Sequence, residues 1–174
     1  MTLKKLIFPI LSILIGIFSI IILIEIFLRF LPVNEGLRTQ PVNKDAPVYH
    51  FEPNKTKIFS KHWNFDIVNK VKINNYGFVS QYDYTKSHEK PLLSVIGDSY
   101  VEALATPVDK TFHYLLNKDL EEQILVYNFA ASGAGLSQYL IWADYANNVF
   151  NSTYMIFVII SNDFEESLSP SLGR

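Results

Sequence analysis

From Leu6 to Ile24 the chain carries no charge, and its apolar character runs on to Leu28 with only Glu25 interrupting. At about 1.5 Å per residue such a run crosses the roughly 30 Å hydrocarbon core of a bilayer, so it predicts one transmembrane helix. A secretory signal peptide has a shorter apolar region, about 7–15 residues, and ends at a small-residue cleavage site. Glu25 to Pro32 offers no such site. Nor does a polar stripe recur at helical spacing to give a soluble helix its outer face. Lys4 and Lys5 precede the span and predict a cytoplasmic N-terminus; Arg29 weakens that bias without reversing it. Everything past about residue 32 is then expected in a periplasm or at a cell surface.

The pattern changes after the anchor, taken as residues 1–31. Pro32, Pro41, Pro47 and Pro53 fall among Asn, Lys and Asp, which predicts an extended stalk and an irregular lead-in over residues 32–65. Alternation from Asp66 to Ile73 predicts a short edge strand, closed by the turn Asn74-Asn75-Tyr76-Gly77. Residues 80–90 are polar and read as a surface loop.

Leu92 to Ile96 is a short apolar run stopped by Gly97, as in a strand buried on both faces. Phe112, Leu115, Leu116 and Leu120 then recur at helical spacing, with Asp109 or Thr111 as a cap. Ile124 to Tyr127 predicts a second strand, ending at Asn128. A second helix follows, with Leu136, Leu140, Ala143 and Phe150 on one face, and Tyr154 to Ile160 predicts a third strand. Strands alternating with helices predict a parallel sheet with right-handed crossovers. The predicted fold class is therefore α/β, a three-layer α/β/α sandwich preceded by one transmembrane helix. In such sheets chemistry gathers at the carboxyl ends of the strands. Those ends are Gly97-Asp98-Ser99, Asn128 to Gly133, and Ser161-Asn162-Asp163.

Composition narrows the chemistry. The 174 residues hold no cysteine, which excludes disulfides, iron–sulfur clusters and cysteine-ligated zinc. A net charge of −2 leaves no basic footprint for nucleic acid. His50, His62, His88 and His113 are scattered, with no pair at ligand spacing, so no metal site is expected.

Ser99 sits where a strand enters a helix, a place for a nucleophile, and equally for a helix cap. The Gly-x-Ser-x-Gly elbow is absent, since position 101 is Val. Gly133 suits close approach of a backbone N–H to an oxyanion, or an ordinary loop. Asn162 offers an amide donor, or a turn. Taken together the three blocks resemble those of the SGNH (GDSL-type) hydrolases. They are Ile96-Gly97-Asp98-Ser99-Tyr100, Asn128-Phe129-Ala130-Ala131-Ser132-Gly133 and Ser161-Asn162-Asp163, spread over residues 92–166. Tyr100 stands where Leu is often found, and Ser161 replaces a usual glycine.

The resemblance implies a flavodoxin-like fold and an ester hydrolase or acyltransferase without a cofactor. It implies Ser99 as nucleophile, and the N–H groups of Ser99 and Gly133 with the Asn162 amide as oxyanion donors. Asp98, Asn128 and Asp163 are implied as supporting residues. The anchor together with the Asn74-Asn75-Tyr76-Gly77 approach is similar to membrane-attached bacterial members of the group. Implied partners are the bilayer, through residues 6–28, and an ester or acylated glycan. The family's base is a histidine three residues after an aspartate in a later block, and no histidine follows His113 here. In subtilisin, loss of the triad histidine costs about 10⁶ in turnover. Residues 66–174 are therefore expected to be the N-terminal portion of such a domain, nearly inactive as it stands. The competing expectation is a non-catalytic glycan-binding or assembly module that keeps the crevice.

Overall fold

An unbroken apolar run folds as one long helix in the computed structural model, which describes residues 3–168. The chain divides into two units, residues 1–33 and 34–174. In the first, α1 spans Leu3–Leu28. Its stretch Ile7–Leu28 has a mean hydropathy of 3.0 and holds no buried residue. It is long and apolar enough to cross a membrane. The hydroxyls of Ser12 and Ser19 donate to the carbonyls of Phe8 and Ile15, one turn back, so neither is left unpaired. Glu25 and Arg29 pair at 3.0 Å where the apolar run ends.

The second unit is mixed α/β. Strand β1 (Lys55–Lys61) pairs antiparallel with β2 (Ile67–Ile73), with Lys55 opposite Ile73 and Lys61 opposite Ile67. The turn after β2 follows its sequence closely. The side-chain oxygen of Asn74 accepts from the N–H groups of Tyr76 and Phe78, each at 3.0 Å. Gly77 has φ +82°, and a Cβ there would lie 2.4 Å from the carbonyl oxygen of Phe51, so only glycine fits.

A three-stranded parallel sheet carries the rest, in the order β4-β3-β5, with β3 at Leu92–Gly97, β4 at Leu125–Ala130 and β5 at Tyr154–Phe157. Strand β3 is central and wholly buried, and its side chains alternate between two clusters. Leu92 and Ile96 join Phe78, Tyr84, Phe129, Trp142 and Phe150, whereas Leu93 and Val95 join Val101 and Val126. That burial on both sides explains the continuous apolar run. Between the strands come the single turn α2 (Ser99–Glu102), then α3 (Phe112–Leu120) and α4 (Leu136–Phe150), and after β5 comes α5 (Ser161–Leu168).

Several expectations need correction. Residues 34–65 are not an extended stalk. Thr39 bridges Phe51, Val48 and Phe51 are buried, and Trp142 donates its indole N–H to the Tyr49 carbonyl at 3.0 Å. Glu35 joins β1 as well, through its N–H to the Ile58 carbonyl and its carboxylate to the Ile58 N–H. The apolar residues Val48, Tyr49 and Phe51 outweigh the prolines, because burying them against α4 stabilises more than an open chain would. The loop over 80–90 is anchored by Tyr84, which is buried and stacks on Tyr127 with ring centroids 3.9 Å apart. Strand β4 continues to Ala130, and β5 ends at Phe157 rather than Ile160.

Both helix faces are met in part: Leu136, Ala143 and Phe150 of α4 and Leu116 and Leu120 of α3 pack on the core as expected, but the most buried positions differ. On α4 the buried residues are Tyr139, Trp142, Tyr145, Ala146 and Phe150, while Leu140 is 69% exposed. On α3 they are His113 and Asn117, and Phe112 and Leu115 lie largely open. Asn117 is held inward by a bond that apolarity does not announce: its side-chain oxygen accepts from the Val126 N–H at 3.0 Å. Thr111 precedes α3 but caps it with no side-chain hydrogen bond.

Candidate active site

The three strand ends supply the candidate residues. At the end of β3, the Asp98 side chain caps α2 by accepting from the Tyr100 N–H at 2.9 Å. Ser99 is exposed, and its hydroxyl donates to the other Asp98 carboxylate oxygen at 3.2 Å. It opens on a cleft of ≈ 470 Å³ that Phe59, Lys61, Leu104 and Ser132 also line. Gly97 lets strand and helix meet this closely, because a Cβ there would fall 2.4 Å from Cγ2 of Val101. Gly97→Ala is therefore expected to destabilise by about 1–3 kcal/mol through overpacking, read as a lower melting temperature. An unchanged melting temperature would show that the junction has slack.

At the end of β4 the chain turns through Ser132 and Gly133 into α4. Gly133 is exposed with φ +78°, a left-handed conformation that favours glycine. The neighbouring Ser132 is held by a residue that the sequence did not single out, Glu102. Both the N–H and the hydroxyl of Ser132 donate to one Glu102 oxygen, the former at 2.9 Å. Glu102 is buried, and that burial pushes its carboxyl above the usual carboxylate range. The two Ser132 bonds pull the other way, and the charge of Asp98 pushes it further up. The signal in the sequence was an acid between Val101 and Ala103, one turn after Ser99.

At the end of β5, the Asn162 amide donates to the Asp98 oxygen that Ser99 also uses, at 3.4 Å, and to Glu166 at 3.2 Å. Asp163 is fully buried and accepts from the Ile160 N–H at 2.8 Å; its second oxygen has no partner among the described residues. Although the sequence pointed to no metal ligands, carboxylate oxygens of Asp98, Asp163 and Glu166 lie within 4.8 Å of one another. Burial, and then the nearby Asp163, keep the Tyr139 hydroxyl protonated well above its ordinary range.

Ser99 and Asn162 thus meet on Asp98, with Ser132 in the same cleft and Gly133 next to it. Asn128 belongs elsewhere. It is buried within β4, donating to the Val79 carbonyl and accepting from the Tyr84 hydroxyl, so it ties the 80–90 loop to the sheet. None of the four histidines hydrogen-bonds to Ser99. His50 bonds the Val48 carbonyl, His62 pairs with Asp66, His88 spans the carbonyls of Lys90 and Phe150, and His113 faces Thr111. No protein-family model, no curated protein and no solved structure matches the chain.

Proposed function

We propose that this chain is a membrane-anchored serine hydrolase or acyltransferase of the SGNH type, acting on an ester. The observation that carries this reading is the convergence of Ser99 and the Asn162 amide on one Asp98 oxygen, beside an open cleft. The parallel sheet with chemistry at its carboxyl ends agrees with a three-layer, flavodoxin-like domain of that type. In this reading the Ser99 oxygen attacks the ester carbonyl. The N–H groups of Ser99 and Gly133 and the Asn162 amide donate to the oxygen that gains charge. The alcohol leaves with a proton, and the acyl group passes from Ser99 to water or a sugar hydroxyl. The Lys4-Lys5 flank supports a cytoplasmic N-terminus and a domain outside, where envelope glycan or lipid esters are at hand.

The attack needs a base, and no histidine touches Ser99, so acylation in this chain is slow. That same observation favours the second reading, a non-catalytic glycan-binding or assembly module. A fluorophosphonate probe separates the two in the detergent-solubilised full chain. The expected result is slow covalent labelling of Ser99, located by mass spectrometry and lost in Ser99→Ala at unchanged melting temperature. Labelling of Ser99 no faster than that of the exposed Ser87 would turn the assignment to the binding module.

A further inference from the structure

Behind the Ser99 cleft lies a second cavity of ≈ 240 Å³. Its walls come from four segments far apart in sequence, one of them the turn after β4 at Ser132. Leu37 and Tyr49 belong to the lead-in, Ile58 and Val71 to the β1–β2 hairpin, and Leu104 to the loop after α2. Phe59, Leu104 and Ser132 line both spaces, so the cavity adjoins the cleft that holds the candidate nucleophile. We propose that this cavity receives the apolar acyl chain of the ester whose carbonyl Ser99 attacks, a substrate assignment that rests on the hydrolase reading above.

The lining selects this occupant over a sugar. Sugar hydroxyls need convergent polar partners, whereas these walls are mainly aliphatic and aromatic. The one buried carboxylate at the cavity, Glu102, has one of its oxygens engaged by both the N–H and the hydroxyl of Ser132. Lys57 is turned toward Glu35, 3.9 Å away. An acyl chain asks for no hydrogen bond, and each methylene it buries strengthens binding about fourfold.

Size sets the length. A cavity of about 150 Å³ lined by apolar side chains holds a six-carbon ring, and common ligand pockets start at about 300 Å³. The space here therefore suits a chain of roughly six to ten carbons, by proportion to that six-carbon case. The assignment also gives the folded lead-in a purpose: with Leu37 and Tyr49 it forms one side of the chamber. A free stalk would leave the chamber open to water.

The test uses the full chain in lipid nanodiscs and unreactive primary amides, butanamide against octanamide, followed by calorimetry with empty nanodiscs as the partition control. Octanamide is expected to bind at least tenfold more tightly than butanamide. Leu104→Phe or Val71→Phe, at wild-type melting temperature, is expected to weaken octanamide binding at least tenfold. Equal affinity for the two amides overturns the proposal, and so does octanamide binding that both fillings leave unchanged. The chain-length comparison needs no variant, so it decides the matter even where a filling unfolds the domain. Octanamide selectivity without fluorophosphonate labelling of Ser99 would keep the apolar chamber and remove the hydrolase reading. Labelling without chain-length selectivity would do the reverse.

Discussion

Replacing Trp142 by alanine is expected to cost about 3–5 kcal/mol of folding stability, the range found for truncating a buried aromatic side chain. Trp142 on α4 has no exposed surface and packs against rings from three segments. Its centroid lies 6.4 Å from Tyr49, 6.3 Å from Phe78 and 6.4 Å from Tyr139. Its indole N–H is also the donor to the Tyr49 carbonyl at 3.0 Å, which fastens the lead-in to α4. Two contributions are therefore lost, ring burial and a half-buried hydrogen bond. Trp142→Phe separates them, because most of the ring survives while the Tyr49 carbonyl loses its donor; its expected cost is about 1–3 kcal/mol. Urea titration of the full chain reads both values as shifts in midpoint at constant slope. A cost under 1 kcal/mol for the alanine variant would mean that the lead-in does not depend on this residue for its docking.

The second large effect is acid lability from His113. The ring is buried on α3, and burial lowers its pKa from 6.5 to about 4, the backbone at Val101 opposing the shift. Unfolded, the imidazole takes up a proton near pH 6.5; folded, it resists until about pH 4. Unfolding therefore binds a proton within that window. The stabilisation is complete above pH 6.5 and lost as pH falls through 4, by up to about 3 kcal/mol. Glu102 acts in the opposite sense, since its raised pKa means that protonation on acidification favours the folded state. Comparing melting temperatures of wild type and His113→Leu between pH 7.5 and 4 isolates the histidine. The expected result is a steeper acid limb for wild type. Parallel curves would show that His113 is solvated or already charged in the folded protein.

Much of this protein can be read along the chain, but unevenly. The transmembrane-length helix is legible because charge-free apolar composition over 20 or so residues has almost no other use. Strands β3, β4 and β5 are legible as short apolar runs closed by small or polar residues, and their parallel order follows from the helices between them. Ser99 and Asn162 could be proposed as neighbours because strand ends in a parallel sheet converge. The faces of α3 and α4 were legible in part: Leu116, Leu120, Leu136, Ala143 and Phe150 pack on the core, whereas Phe112, Leu115 and Leu140 stand open. Leucine spacing suggested Leu115 and Leu140, yet the structure buries His113, Asn117 and Trp142 instead. A polar residue can be pulled inward by one well-placed partner, and a large aromatic gains more from burial than a leucine.

Glu102 and Asn128 mark the same limit from the polar side. Glu102 meets Ser132 thirty residues away, and Asn128 meets the Tyr84 hydroxyl across forty-four. Nothing beside either residue in the chain announces its partner. The sequence alone therefore determined the apolar helix, the alternation of strands and helices, and the candidate residues at the strand ends. Those signals are local, set by hydrophobic period and by the residue that stops each run. Only the tertiary structure decided that the lead-in docks on α4, that Glu102 holds Ser132, and that an apolar chamber stands behind the cleft. Those outcomes depend on which surfaces lie opposite one another once the sheet has formed, and burial rewards whatever side chain best fills that space, however far off it lies in the chain.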